Sequence, residues 1–87
     1  MKFLWQEKAW KEYVDWQKVD KKTLKRINVL LEDISRNGYR SKGKPEPLSG
    51  NLSGWWSARI DSCNRIVFRI SEGNIEILQC GTHYRTS

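Results

Sequence analysis

The apolar residues of this chain change their period once, near its middle. Up to residue 37 they recur at spacings of three and four, and from residue 55 they alternate. A 3.6-residue period lines one face of a helix and a two-residue period lines one face of a strand, so helices come first and strands follow. That order predicts an α+β fold with two N-terminal amphipathic helices packed on one face of a small, mainly antiparallel sheet. In the first half, Trp10, Tyr13 and Trp16, with Ala9 and Gln17, mark one helical stripe. Asp20 is placed to cap a second helix, in which Leu24, Ile27, Leu30, Leu31 and Ile34 share a face and Lys21, Lys22, Lys25, Arg26, Glu32 and Asp33 take the other. Asn37-Gly38 is its stop signal. Phe3, Leu4 and Trp5 read as a short strand ahead of both helices. In the second half, residues 55–60, 65–70 and 75–80 read as strands, with residues 61–64 and 71–74 as hairpin turns. Between the halves, residues 41–54 hold both prolines and three of the six glycines without an apolar repeat, the pattern of an ordered loop.

At 87 residues and 38% hydrophobic the chain supports one core, and a single domain over residues 1–87 is expected. Five tryptophans argue against disorder. No apolar run approaches the roughly 20 residues that cross a bilayer, and Met1-Lys2-Phe3-Leu4-Trp5-Gln6-Glu7 forms no signal-peptide core, so a soluble, cytoplasmic protein without membrane contact is expected. The formal charge of +6 suits a polyanion or an acidic protein. Cys63 and Cys80 lack CxxC spacing and His83 is the single histidine, too few ligands for zinc. Cys80, following the apolar run from Ile75, reads as a buried reduced thiol.

Several residues carry possible chemistry. If the hairpin loop spans residues 61–63, Arg59 falls opposite Arg65, and like charges facing each other across strands destabilise a sheet unless an anion lies between them. A phosphate would resolve that conflict; water, Asp61 or Glu72 would do so without function. Glu46, between Pro45 and Pro47, is biased to an extended backbone and a narrow range of directions, as a reactive acid or as loop punctuation. His83 is either an idle solvated imidazole or a proton donor near neutrality. Trp55-Trp56 reads as half core and half cover, or as a base-stacking pair. No P-loop, nucleophile elbow, HExxH or acidic metal cluster occurs, which speaks against nucleotide hydrolysis and metal-dependent nuclease chemistry.

The stretch Lys42-Gly43-Lys44-Pro45-Glu46-Pro47-Leu48, then Asn51-Leu52-Ser53-Gly54-Trp55-Trp56-Ser57, Arg59-Ile60, Asn64-Arg65-Ile66-Val67-Phe68 and His83-Tyr84, resembles the YoeB toxins, a branch of the RelE-like bacterial toxin–antitoxin systems. Trp5, Trp10, Tyr13, Trp16-Gln17, Asp20-Lys21 and Ile27-Asn28 extend the likeness over nearly the whole chain. The resemblance implies a ribosome-dependent endoribonuclease, an mRNA interferase that cuts message in the ribosomal A site without metal or other cofactor. It implies Glu46 as general base, Arg65 as the cation that stabilises the phosphorane, His83 as general acid and Tyr84 as a substrate-orienting group. Lys44 and Arg59 are implied phosphate contacts. The implied partners are a YefM-like antitoxin with an acidic tail, the ribosome with its mRNA, operator DNA through the antitoxin complex, and a second copy in a homodimer. Ser49 and Ala58 stand where many family members have lysine and arginine, and Arg85-Thr86-Ser87 extend past the tyrosine where many members end. The alternative is a non-catalytic binding module of the same fold, acting on a protein target or as a DNA-bound corepressor with its antitoxin; such relatives generally lack the Glu, Arg and His set.

Overall fold

In a computed structural model of the chain, which describes residues 2–82, one aspartate serves two helices. α1 spans Glu7–Val19 and α2 spans Lys21–Asn37, with Asp20 between them. The Asp20 N–H donates to Trp16 O and closes α1, while its carboxylate accepts from the Lys22 and Thr23 N–H groups and the Thr23 hydroxyl. The first N–H groups of any helix lack partners within it, so this cap meets a general need. The bonds from Thr23, hydroxyl first and N–H next, hold the Asp20 carboxyl below its ordinary value. α2 stops at Gly38, whose φ of 57° and ψ of −127° favour glycine.

As its spacing predicts, α2 buries Ile27, Leu30, Leu31 and Ile34. α1 buries less. Ala9 is inside, yet Trp10 is 49% exposed and Gln17 faces solvent, so the expected stripe is only partly covered. Trp10 instead meets Trp5 edge-on and lies against Tyr13, with ring centres 5.6 and 5.8 Å apart. The Tyr13 hydroxyl donates to Asn28 Oδ1 at 2.7 Å and ties α1 to α2.

The sheet has the order β1-β5-β4-β3-β2, built from β1 (Lys2–Trp5), β2 (Glu46–Pro47), β3 (Trp56–Arg59), β4 (Asn64–Ser71) and β5 (Asn74–Thr82). β1 is parallel to β5 and every other pair is antiparallel. β2 is a correction to the loop expected over residues 41–54. It is two residues long, too short for any alternation to show, and Pro47, without an N–H, is tolerated because the strand is an edge. Short 3₁₀ turns at Gly38–Arg40 and Gly50–Leu52 flank it.

Side chains extend the ladders where strands run out. Past Trp5 the free edge of β5 receives the Gln6 N–H at Ile77 O, then Glu12 Oε1 accepts from the Cys80 N–H at 2.9 Å and Trp16 Nε1 donates to Cys80 O at 3.0 Å. Beyond the short β3, the Ile70 N–H of β4 donates to the Tyr39 hydroxyl at 2.8 Å. Unpaired buried backbone groups are costly, so these contacts fix where α1 and Tyr39 sit.

Alternation in β5 breaks once. Val67 pairs with Gln79 but Phe68 pairs with Ile77, leaving Leu78 as an extra residue in a bulge. Before it, Ile75 and Ile77 face the helices; after it, Cys80 does. Gln79 is thereby carried with Val67 to the opposite face. The interior joins Ile27, Leu30 and Ile34 to Ala58, Ile66, Phe68, Ile75, Ile77 and Cys80, all fully buried, and each large apolar side chain contributes about 1.5–3 kcal/mol. Cys80 is the buried thiol expected: burial first, then the Glu12 charge, push it up to about 12. Among the described residues no helix is long and apolar enough to cross a membrane.

Candidate functional site

The face of the sheet away from the helices carries two cross-strand rows. Glu46, Ser57, Val67 and Gln79 follow one another across β2, β3, β4 and β5, and Arg59, Arg65 and Gly81 form the next row. The expected opposition of Arg59 and Arg65 is therefore present. Its register comes from the hairpin turn, where the Asp61 carboxylate accepts from the Cys63 and Asn64 N–H groups at 2.8 Å and from Asn64 Nδ2 at 3.0 Å. An aspartate bonding its own chain two and three residues on is a standard turn device. Burial raises the Asp61 carboxyl, but the Asn64 side chain, the two N–H groups and the Arg65 charge outweigh it and leave it below its ordinary value. Arg65 Nη1 donates to Asp61 O and to Asn64 O. The turn thus grips one arm of the guanidinium through backbone carbonyls, and not through the Asp61 carboxylate.

The second wall is the segment leading into β2. Asp33 of α2 accepts the Lys42 N–H, and this bond, the strongest influence on it, holds the Asp33 carboxyl below its ordinary value. Gly43 O accepts the Arg59 N–H at 2.9 Å. A Cβ at Gly43 would stand 3.0 Å from Ala58 Cβ and 3.3 Å from Leu30 Cδ2, tighter than ordinary contact, so glycine lets the chain pass this close to the sheet without displacing its neighbours. Lys44 follows at φ 51°, a left-handed conformation that lysine rarely adopts. Strain of this kind persists where surroundings over-determine it, and here Gly43 is bonded to Arg59 on one side and Glu46 is paired with Ser57 two residues on. Glu46 then enters β2 opposite Ser57, its carboxylate exposed.

These walls enclose an open cavity of about 580 Å³ lined by Arg26, Lys42, Gly43, Lys44, Glu46, Ser57, Arg59 and Arg65. Four of the six expected site residues, Lys44, Glu46, Arg59 and Arg65, meet there. His83 and Tyr84 lie outside the described residues; β5 brings the chain to Thr82, paired with Asn64 and one register step beyond Arg65. The ion pairs among the described residues, Lys8–Glu12, Lys11–Glu7, Arg36–Glu32 and Arg69–Glu76, leave every cation of the cavity unpaired. A concave surface with that many cations and one carboxylate concentrates anions. Among the described residues no group of three or more His, Cys, Asp or Glu is arranged to hold a metal.

Sequence reasoning missed Arg26 and Ser57 as cavity residues. Arg26 looked like any charge on the solvated face of α2, and Ser57 like a strand filler. The tryptophan pair divides as its alternation predicts. Trp56 stacks on Tyr39 with ring centres 4.2 Å apart, while Trp55 lies under the Arg69 guanidinium at 4.3 Å. Arg69 in turn bonds Glu76 at 2.9 Å, and Gln6 holds the other Glu76 oxygen at 2.7 Å.

Over residues 5–84 the sequence matches the family described as "YoeB-like toxin of bacterial type II toxin-antitoxin system". It is 44% identical to Toxin YoeB of Escherichia coli strain K12 over 84 residues, covering 97% of this chain and 100% of that one. Among solved structures, the YoeB/ParE toxin from Agrobacterium tumefaciens superposes with a TM-score of 0.91 at 40% identity, covering 97% of this chain and 100% of that one. YoeB of Staphylococcus aureus, solved in a YoeB-YefM complex and as a dimer, gives TM-scores of 0.88 and 0.87 at 38% and 39% identity, each covering 97% of this chain and 98% of that one.

Proposed function

This chain belongs to the YoeB-like toxins of bacterial type II toxin–antitoxin systems, and from that premise we propose that it is a ribosome-dependent mRNA endoribonuclease working by metal-free acid–base transesterification. The observation that carries the reading is the meeting of Glu46 with Lys44, Arg59 and Arg65 in one cavity whose cations form no ion pair among the described residues. Strand scission by the neighbouring 2′-hydroxyl needs a base, an acid and a cation where charge grows on phosphorus. Glu46 takes the proton of the 2′-hydroxyl, O2′ attacks the phosphorus, and Arg65 stabilises the extra negative charge of the phosphorane. His83 protonates the departing 5′-oxygen, giving a 2′,3′-cyclic phosphate and a 5′-hydroxyl end, and Tyr84 orients the substrate. With those three roles filled by side chains, the step as written needs no metal. Lys44 and Arg59 hold the backbone phosphates. The clamp of Arg65 by Asp61 O and Asn64 O supports its role, because a cation fixed before the reaction costs no reorganisation when charge develops.

The cationic face also fits the acidic tail of a YefM-like antitoxin, and the S. aureus YoeB-YefM complex and YoeB dimer support an antitoxin partner and a homodimer here too. Operator DNA is reached through that complex. The protein acts in the cytoplasm, where translating ribosomes are, as a single domain over residues 1–87.

The test is a primer-extension map of one message, translated and untranslated, with purified wild-type protein and Glu46→Ala, Arg65→Ala and His83→Ala. Cuts are expected in translated message only, and each variant is expected to lose a factor of about 10² or more in rate while keeping its fold. Equal cutting of untranslated message, or variants as active as wild type, overturns the reading in favour of a different nuclease or a binding module.

A further inference from the structure

The nuclease chemistry accounts for Glu46 and Arg65 but leaves the helix side of the cavity without a task. A cavity of about 580 Å³ has the size of a site for a whole small ligand and is far larger than one phosphate group. Its helix wall is cationic as well, through Arg26 and Lys42.

The sequence of contacts along α2 explains how these two come together. Arg26, Leu30 and Asp33 are spaced by four and three and so lie on one stripe of the helix. Asp33 pins the Lys42 N–H, and Leu30 Cδ2 lies where Gly43 passes close. The segment from Lys42 therefore runs back along α2 toward Arg26. Arg26 Nε leans on Ile60 O at 3.4 Å, a carbonyl next in sequence to the Asp61 carbonyl that holds Arg65. Two arginines from different elements thus approach the same hairpin turn, and each keeps guanidinium N–H donors beyond those bonds. Neither Arg26 nor Lys42 has an ion pair among the described residues; Asp33 bonds the Lys42 backbone, and the Lys42 charge acts on it without an ion pair.

We propose that Arg26, together with Lys42, forms a second anionic subsite of the cavity, which holds an RNA phosphate next to the scissile one. This rests on the nuclease reading above. Arg26 acts as a binding and positioning residue: it fixes the strand so that the reacting phosphate falls between Glu46 and Arg65, and it takes no part in proton transfer.

The experiment uses the full chain and two readouts. Binding of a short single-stranded RNA carrying a 2′-deoxy residue at the cut is measured against salt, and cleavage of translated message is measured for KM and kcat. For Arg26→Gln the slope of log K against log salt is expected to become shallower by about 0.7, one phosphate contact on a single strand. KM is expected to rise about tenfold with kcat changed less than about twofold, the size of one charge-assisted contact. Arg26→Lys keeps the charge and is expected to restore the slope. Lys42→Gln should add a second slope change when combined with Arg26→Gln. If wild-type protein cleaves while Arg26→Gln matches it in slope and KM, the subsite is overturned and the nuclease reading stands. A binding loss that Arg26→Lys does not restore also overturns it. If wild-type protein cleaves no message but the slope changes appear, the nuclease reading fails and the anionic subsite stands.

Discussion

Arg59 and Arg65 confront each other across β3 and β4 with no carboxylate paired to either among the described residues. Direct opposition of like charges costs about 0.2–1 kcal/mol, so the fold carries a small penalty that an RNA phosphate would relieve. Arg59→Ala is therefore expected to act in opposite directions on stability and activity. Denaturant unfolding should show an unchanged or slightly higher stability, by up to about 1 kcal/mol, while cleavage of translated message falls. A variant that loses both would mean that Arg59 supports the fold. This confrontation was legible in the sequence because the length of the hairpin loop sets the register. Arg26 was not legible, since an exposed arginine on a helix carries no mark of the segment that will later be laid beside it.

Among the elements, the segment from Lys42 to Pro47 depends most on one atom that is absent. Gly43→Ala would place a methyl 3.0 Å from Ala58 Cβ and 3.3 Å from Leu30 Cδ2. Overpacking of this kind costs about 1–3 kcal/mol, and relief at Ala58 Cβ shifts the segment off the sheet, taking Lys42, Lys44 and Glu46 with it. Gly43→Ala is expected to lower the melting temperature modestly and to reduce cleavage more than the stability loss alone would. Wild-type activity in a destabilised Gly43→Ala protein would show that this close approach does not position Glu46. The long elements were readable because they repeat: α2 shows its apolar face over four turns, and the β3–β4 and β4–β5 hairpins are punctuated by turn residues. β2 has two residues and no period to display. The bulge at Leu78 was hidden for a different reason, because Ile75, Ile77, Leu78 and Cys80 offer apolar residues in both phases of the strand.

In the whole molecule, three aspartates fasten junctions and respond to pH together. Asp20 joins the helices, Asp33 ties α2 to the segment before β2, and Asp61 closes the hairpin that holds Arg65; hydrogen bonds hold each below the ordinary value of 3.8. A depressed carboxyl binds its proton less readily folded than unfolded, so its stabilisation is fully present above 3.8 and is lost as pH falls through the lower folded values. Acid also raises a net charge already at +6. Melting temperature is expected to be nearly level from neutrality to about pH 5 and to drop below about pH 4, and Asp20→Asn should flatten part of that drop. A melting temperature independent of pH down to 3 would contradict it. Leu78 has a consequence of another kind. Because it stands unmatched, the earlier half of the last strand belongs to the interior, while Gln79 belongs to the face that bears the cavity. Gln79 is nonetheless buried there, at 6% exposure beside the fully buried Val67, so that face of the strand is packed as closely as the isoleucines behind it. One strand thereby lends buried side chains to both faces of the sheet, and a substitution on either side disturbs packing.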